Sequence, residues 1–218
     1  MFRDRADAGQ RLAQLVVSRL APDSGRPCVA GGIVLGLPRG GVPVAAWVAD
    51  AMGLPLDVLV VRKIGVPWQP ELAMGAVSEN GAAVLNDEVV RAGGVGPEEL
   101  DSLIRESSRA VDEIVAQLRP DGDPVDMKGR MAIVVDDGVA TGATARAAAS
   151  VLRAGGAGSV ILAAPVAALG VCDSLRSVFD EVIFLRTPVQ FGSVGQYYRQ
   201  FDQVSITQVR ELLEKSPA

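Results

Sequence analysis

The stretch at 131–152 constrains the fold of this chain more strongly than any other segment. Residues 131–135 form a continuous apolar run, which is typical of a strand buried inside a parallel sheet. Two carboxylates follow at once, Asp136 and Asp137, and a loop of small residues then leads into an alanine-rich segment at 145–152. The pattern predicts a buried strand and a helix that are joined by a short polar turn.

The loop between the two carboxylates and the helix has the composition of an anion-binding turn. Small residues let the backbone fold tightly around an anion, and the free N–H groups at the start of a helix point toward it. The hydroxyls of Thr141 and Thr144 add hydrogen-bond donors. Paired carboxylates can bind sugar hydroxyls or a hydrated divalent cation. The pattern predicts a phosphate site beside an acidic pair; an ordinary strand-to-helix turn with a solvated Asp pair is the alternative.

Two other phosphate-binding patterns do not fit this loop. A Walker A loop requires a Gly-Lys-Ser/Thr sequence, and none follows here. A dinucleotide-binding fingerprint is excluded because the glycines are wrongly spaced and the acids precede them.

The chain has 218 residues, no histidine and two cysteines, and these counts exclude several kinds of site. Without histidine there is no His general base, no Ser-His-Asp triad and no His-ligated metal. Two cysteines cannot build a disulfide framework or a Cys-rich zinc site. Any metal must be held by oxygen ligands, which suits Mg²⁺ bound mostly through the phosphates of a substrate.

Charge and hydropathy limit the partners and the location of the chain. The net charge of −5 and the pI near 4.9 argue against a nucleic-acid-binding surface. No apolar run approaches the roughly 18 residues of a membrane-spanning helix, so no membrane partner is expected. The first residues contain no apolar signal core, and we therefore expect a cytoplasmic protein.

The rest of the chain alternates predicted strands with predicted helices. We expect strands at 31–37, 56–61, 160–164 and 181–185, and helices at 4–20, 42–52, 98–118 and 168–178. This alternation predicts an α/β fold with a parallel β-sheet flanked by helices. Ligands of such sheets bind outside the carboxyl ends of the strands. Arg39, Lys63 and residues 136–144 each follow a predicted strand, so we expect them to share one rim.

Two segments are expected to lie outside the sheet. Glycines, prolines and an Asn80-Gly81 turn signal predict a flexible loop and β-hairpin over about 64–86, outside the core. Residues 1–187 would then form the core domain. Residues 188–218 would form a small C-terminal hood or tail, which the helix at 4–20 could complete.

Two acids before a Thr-Gly-x-Thr loop resemble the signature of the type I phosphoribosyltransferases, which bind PRPP (5-phosphoribosyl-1-pyrophosphate). The resemblance covers about residues 30–190, and its specific part is Val134–Thr144. It implies the type I phosphoribosyltransferase fold, with Asp136 and Asp137 on the ribose hydroxyls, directly or through water bound to Mg²⁺. It also implies a 5-phosphate site formed by Ala140, Thr141, Gly142, Ala143 and Thr144.

The turn Pro38-Arg39-Gly40-Gly41 resembles the pyrophosphate loop of the same family. Glycines permit unusual backbone angles and a close approach of N–H groups to an anion, and an arginine can bind its oxygens in a bidentate manner. The resemblance therefore implies that Arg39, Gly40 and Gly41 bind the leaving pyrophosphate. A surface turn with a solvated arginine is the alternative.

Arg62-Lys63 resembles the basic pair at the root of the catalytic loop in adenine-type members of the family. This implies a role for Lys63 in catalysis and pyrophosphate binding, unless it only caps a strand end. Ala140 stands where the 6-oxopurine enzymes carry an aspartate that handles the proton of the base. The pattern is therefore nearer to the adenine- and orotate-type members, which use a residue of the flexible loop. By this resemblance Glu71 is the candidate for that role, and Glu79 is the second acid of the loop.

The resemblance implies an enzyme that transfers the 5-phosphoribosyl group of PRPP to a nitrogenous base, with Mg²⁺ assisting the release of pyrophosphate. A PRPP-sensing regulatory protein of the same fold is the alternative. The C-terminal aromatic residues would either grip the base in a hood or form a small satellite core; they are Phe191, Tyr197, Tyr198 and Phe201. The apolar stripe of the helix at 98–118 suits the core or a partner, so a homodimer stays open.

Overall fold

A central parallel sheet organises the chain. The computed structural model describes residues 1–21, 31–79, 83–119 and 126–216. Within them the strands are β1 (Ile33–Gly36), β2 (Leu56–Val58), β3 (Val61–Val66), β4 (Gln69–Ser78), β5 (Ala83–Leu85), β6 (Met131–Val135), β7 (Ser159–Val166) and β8 (Glu181–Arg186). One sheet is parallel throughout, in the order β2-β1-β6-β7-β8, and β3, β4 and β5 form a separate antiparallel sheet. The predicted parallel sheet is confirmed.

Helices cover both faces of the parallel sheet. The helices of the described residues are α1 (Arg5–Leu20), α2 (Gly41–Met52), α3 (Asp87–Ala92), α4 (Pro97–Leu118), α5 (Ala143–Ala154), α6 (Cys172–Arg176) and α7 (Ile206–Glu214). Of these, α3 and α4 pack on the antiparallel sheet, and α7 packs on α2 and α4. Ile133 and Val135 of β6 pack in the cluster formed with α1 and α2, whereas Val134 packs in the cluster formed with α5. Burial on both faces explains why this strand is apolar throughout. In the described part of the chain, no helix combines the length and apolar character needed to cross a bilayer.

The segment at 64–86 contains the expected hairpin, since β4 and β5 pair antiparallel with Val77 opposite Ala83. The expectation that it lies outside the core was wrong, because its side chains are buried. β3 and β4 pair antiparallel, and their register shifts next to Gly65. The buried side chains of this sheet pack in one cluster with Val111 of α4; they include Ile64, Val66, Met74 and Val77. In β3 alternate residues are buried, whereas Ala76, Val77 and Ser78 of β4 are buried in succession. A bulge next to Gly65 accommodates the shift of register between the two strands. The Asn80-Gly81 turn lies outside the described residues.

Two other predicted elements are shorter than expected. The apolar run at 56–61 is divided, because β2 ends at Val58 and Val61 already begins β3 of the other sheet. Lys63 therefore lies inside an antiparallel strand and does not follow a parallel one. The helix expected at 168–178 is replaced by a 3-10 turn at Leu169–Val171 and the short α6. Gly170 lies in that turn, where its low helix propensity favours the break.

A buried ionic cluster joins α4 to both sheets. Arg119, directly after α4, donates to Asp57 of β2 at 2.8 Å and also to Glu79, which follows β4. The three side chains are between 11% and 12% exposed. Burial raises the pKa of both carboxyl groups, and the charge of Arg119 opposes this rise. The guanidinium therefore compensates two buried acids at once.

Replacing Arg119 by methionine should destabilise the protein by about 3–5 kcal/mol at neutral pH, because two buried carboxylates lose their counter-charge. The pKa values of Asp57 and Glu79 in the folded state lie above their unfolded values of about 4. As the pH rises from the unfolded pKa toward the folded pKa, these two carboxyl groups therefore lower the free energy of unfolding. The loss in Arg119→Met should therefore be smaller near pH 4.5 than near pH 7.5, which urea unfolding measures.

Arg109→Met is the matched control, since Arg109 is exposed on α4. Its free energy of unfolding should change by less than about 0.5 kcal/mol. An equally small change in Arg119→Met would mean that the ionic cluster does not support the packing of α4.

Candidate active site

The loop between β6 and α5 has the geometry of an anion-binding site. Gly142 caps α5 with φ 71° and ψ 7°, a left-handed conformation that favours glycine. Ala140, Thr141 and Thr144 are exposed, and the N–H of Ala143 lies 3.4 Å from the Thr141 hydroxyl oxygen. The first turn of the 12-residue α5 follows directly, so its free N–H groups reach the same exposed surface. The five residues predicted for the 5-phosphate are thus brought together.

Hydrogen bonds hold this loop to the end of β7 and to α5. The N–H of Val139 donates to Val166 of β7 at 2.8 Å, and the Val139 carbonyl accepts from Ala168 at 2.9 Å. Arg146 of α5 folds back and donates to the Thr141 carbonyl at 2.9 Å. The sequence analysis missed Arg146, although its place two residues after Thr144 sets it in the first turns of the helix. It adds a positive charge beside the loop.

The turn after β1 packs directly on the acidic pair. Arg39 is exposed, whereas Gly41 is buried, and the peptide bond between Pro38 and Arg39 is cis. A methyl group at Gly41 would lie 2.5 Å from the carbonyl oxygen of Val135, and one at Gly40 would overlap the Asp137 carboxylate. The two glycines are therefore required for this turn to approach the end of β6.

The acidic pair is enclosed by both ends of the chain. Asp136 is half-buried, and Asp137 is 9% exposed. Arg5 Nε of α1 donates to Asp137 Oδ2 at 2.8 Å, and the hydroxyl of Tyr198 donates to the Asp137 carbonyl at 2.6 Å. The N–H of Asp137 donates to Asp136 Oδ1 at 2.8 Å. Asp136 thus lies beside a carboxylate that is already paired.

Burial and mutual repulsion change the ionisation of the pair. Burial is the largest cause that raises the pKa of Asp136, and the charge of the neighbouring Asp137 raises it further, to about 8. Burial also raises the pKa of Asp137, although the hydrogen bond from Arg5 lowers it. Two adjacent carboxyl groups with one counter-charge therefore bind a proton more readily than isolated carboxyl groups do. A cation near the pair would favour the release of that proton.

A cavity of about 380 Å³ is lined both by the turn after β1 and by the first turn of α5. Its lining includes Arg39, Thr144, Val61 and Gln117. The expected convergence on one rim therefore holds for Arg39 and for residues 136–144.

For Lys63 and Glu71, the structure does not establish a position in the candidate site. Lys63 lies in β3 two residues beyond Val61, and so shares its face of the strand; it does not line the cavity. Glu71 lies in β4 near the turn of the β3–β4 hairpin, and its side chain is outside the described part of the structure. The roles of both residues stay predictions.

The donor set can be tested against the expected Mg²⁺. Within the described ranges, no group of three or more His, Cys, Asp or Glu side chains is placed to hold a metal ion. Asp136 and Asp137 therefore offer at most a pair of carboxyl groups. Such a pair suits a cation whose remaining ligands are water and the phosphate oxygens of a substrate, because Mg²⁺ is commonly held that way.

The sequence analysis also missed Arg5 and Tyr198, which hold Asp137. Arg5 is the first residue of α1, where the helix dipole disfavours a cation, and that unfavourable charge was the available signal. Tyr198 is 5% exposed and packs on Phe2 at a ring distance of 5.4 Å. For Tyr198 the satellite-core alternative is confirmed.

The remaining C-terminal aromatic residues make two kinds of contact: Phe201 packs under Arg5, and Phe191 stacks on Tyr197. The guanidinium of Arg5 lies 3.9 Å from the ring centroid of Phe201, so one face of this ring is covered by Arg5. Phe191 and Tyr197 stack on each other at 5.3 Å, and Tyr197 is anchored through its hydroxyl to the Gln190 carbonyl at 2.9 Å. A hood that grips an acceptor stays a prediction for this second pair.

Comparisons with known sequences agree with this geometry. A family model described as a phosphoribosyl transferase domain matches residues 30–171. Two proteins named "Putative phosphoribosyl transferase", from the CDC 1551 and H37Rv strains of Mycobacterium tuberculosis, are each 47% identical over 216 residues, which is 99% of this chain. The match covers 47% of those proteins, so the chain spans about half the length of these curated relatives.

Solved structures give the same fold. The protein TT1426 from Thermus thermophilus is similar with a TM-score of 0.89 and 38% identity, covering 100% of this chain and 99% of that one. The AQ2163 protein from Aquifex aeolicus has a TM-score of 0.51 and 11% identity, covering 88% of this chain and 78% of that one, a likeness of fold alone.

Asp136→Asn should stabilise the protein at neutral pH. The folded-state pKa of Asp136 lies above its unfolded value, so the folded state holds more protons between the two values and stability falls as the pH rises through them. Asparagine removes this loss. We expect a gain of about 1–3 kcal/mol near pH 7.5 and little change near pH 4, measured by urea unfolding without added ligand.

Asp50→Asn, at an exposed position near the end of α2, is the control and should show no such trend. A gain in Asp136→Asn that is equal at both pH values would indicate a packing effect and not a buried ionisable group.

Proposed function

Because the chain belongs to the type I phosphoribosyltransferase family, we propose that it transfers the 5-phosphoribosyl group of PRPP to a nitrogenous base and releases pyrophosphate. The observation that carries the proposal is the junction of three parts at one edge of the sheet. An exposed loop with anion-binding geometry, a basic glycine turn and an acidic pair of which Asp137 is buried lie side by side there. These parts match the 5-phosphate, the pyrophosphate and the ribose of PRPP in kind.

The phosphate loop would hold the 5-phosphate as a handle. The N–H groups at the start of α5 and the hydroxyls of Thr141 and Thr144 are donors for its oxygens. Arg146 adds a charge beside them. Binding energy from this remote group positions the reacting carbon, C1 of the ribose, without acting on it.

The glycine turn would bind pyrophosphate as it leaves. Negative charge grows on the leaving group in the transition state, so cations and N–H donors fixed there accelerate the reaction. The exposed guanidinium of Arg39 and the backbone of Gly40 and Gly41 supply them, with Lys63 as a further cation. Mg²⁺, held by substrate oxygens and the acidic pair, would act as a Lewis acid that neutralises part of this charge.

The acidic pair would face the ribose. Its hydroxyls need acceptors, and positive charge develops on the ring as pyrophosphate departs, which ionised carboxyl groups stabilise. Burial and repulsion raise the pKa of Asp136, so Mg²⁺ that binds with the substrate would favour the ionised form of the pair. Asp136 and Asp137 would then be charged acceptors for the ribose hydroxyls.

The acceptor would be a small nitrogenous base, and we propose that it binds between the phosphate loop and the C-terminal segment. Ala140 provides no carboxyl group there, so the proton of the base must go to another residue, and Glu71 is our candidate. The proposal places the reaction in the cytoplasm with PRPP and the base as partners, and a homodimer through α4 as an option.

The proposal is tested by measuring pyrophosphate release from PRPP and Mg²⁺ against a panel of purine, pyrimidine and nicotinate-type bases. Release with one base would support the enzyme and name its acceptor. Binding of PRPP without release by any base would favour a PRPP sensor of the same fold. Absence of PRPP binding would refute both.

Thr144→Val should weaken PRPP binding by roughly tenfold, because one hydroxyl donor to the 5-phosphate is lost at an exposed position in the first turn of α5, where the fold can tolerate the change. Isothermal titration with PRPP and Mg²⁺ measures the dissociation constant. Thr207→Val, at an exposed position of α7, is the control with the same chemical change. Equal affinity in the two variants would move the 5-phosphate away from this loop.

A further inference from the structure

Asp137, the second residue of the acidic pair, contacts the turn at Gly40 and also residues near both ends of the chain. Arg5 Nε lies 2.8 Å from its Oδ2, and the two side chains are 14% and 13% exposed. The same oxygen lies against Gly40, where a methyl group would overlap it. The hydroxyl of Tyr198 donates to the Asp137 backbone carbonyl at 2.6 Å. Side chain and backbone of this residue are thus both committed to tertiary contacts.

Arg5 is itself held in place by the C-terminal segment. Its guanidinium lies 3.9 Å from the ring centroid of Phe201, and its Nη1 donates to the Asp202 carbonyl at 2.7 Å. A cation over an aromatic face and a second hydrogen bond remove most of the rotamer freedom of a long side chain. The guanidinium therefore presents Nε to Asp137 in one defined position.

Helix stability does not account for an arginine at this place. Arg5 is the first residue of α1, where the positive end of the helix dipole repels a cation. Arg11 on the same helix shows the ordinary arrangement, since it pairs with Asp7 at 2.9 Å one turn away and is 51% exposed. The ion pair with Asp137 is what offsets the unfavourable position of Arg5.

We infer that Arg5 is a positioning residue of the active site, which acts through Asp137 to set the pyrophosphate turn. By fixing Oδ2 against Gly40, it determines how close the backbone of the turn stands to the acidic pair. The inference rests on the proposed function for its catalytic consequence. The ribose hydroxyls are then served by Asp136 and by the other carboxylate oxygen of Asp137. The N-terminal helix thereby becomes part of the site.

The structural half of the inference is tested without turnover. Arg5→Gln keeps much of the length of the side chain and removes its charge, and Arg11→Gln is the matched control on the same helix. In ¹H–¹⁵N spectra of the folded proteins, the amide signals of Gly40 and Gly41 should shift in Arg5→Gln and stay in place in Arg11→Gln. Unshifted signals in Arg5→Gln would overturn the inference, whatever reaction the protein catalyses.

The catalytic half is tested with the base that supports pyrophosphate release. Arg5→Gln should lower kcat by roughly 10–100-fold, the scale of a displacement of about 1 Å in a positioned group. The KM for PRPP should change less, because the turn acts most strongly on charge that develops in the transition state. Arg5→Lys should restore part of kcat, and Arg11→Gln should leave it within about twofold.

A double-variant cycle with Asp137→Asn then decides whether Arg5 acts through Asp137. Adding Arg5→Gln to Asp137→Asn should change kcat by less than about threefold, because the shared contact is already lost. A further tenfold loss would mean an independent role and would overturn the inference. If the unmodified protein releases no pyrophosphate, the proposed function fails, and the amide signals of Gly40 and Gly41 still decide the structural half.

Discussion

The approach of the Gly40-Gly41 backbone to the end of β6 is the contact on which this site depends. β1 and β6 are neighbours in the parallel sheet, so the turns that follow them leave the same edge side by side. A side chain at Gly41 would strike the Val135 carbonyl at 2.5 Å, and the turn would be pushed away. Two successive glycines let a basic turn and an acidic pair meet, which places opposite charges within reach of one substrate.

The same closeness has an electrostatic consequence. Asp136 is half-buried beside Asp137, which is buried and accepts a hydrogen bond from Arg5, and the pKa of both carboxyl groups is raised. The fold thus retains an unfavourable charge arrangement at this place, as candidate functional sites commonly do at a cost in stability. The cluster around Arg119 shows the other solution, in which one guanidinium compensates Asp57 and Glu79 for the sake of packing.

Sequence reasoning succeeded where the physical cause is local. β6, the loop and α5 follow each other directly, and the apolar run, the small residues and the alanine-rich helix each indicate their own structure. For the segment at 64–86 it found the hairpin but placed it outside the core, because glycines and prolines resemble those of a loop although side chains between them are buried. It also joined β2 to β3, because an apolar run does not show where the chain passes from one sheet to another.

The sequence by itself determined the family, the small-residue loop between β6 and α5 and the glycine turn after β1, since these depend on residue types at short spacing. Only the tertiary structure decided that Arg5 meets Asp137 across 132 residues of chain, and that Tyr198 closes the same site from the C-terminal side. A partner at such a distance leaves no periodic mark in the sequence. It is fixed by the order of strands and by the packing of α1 on the sheet, which bring distant residues to one edge.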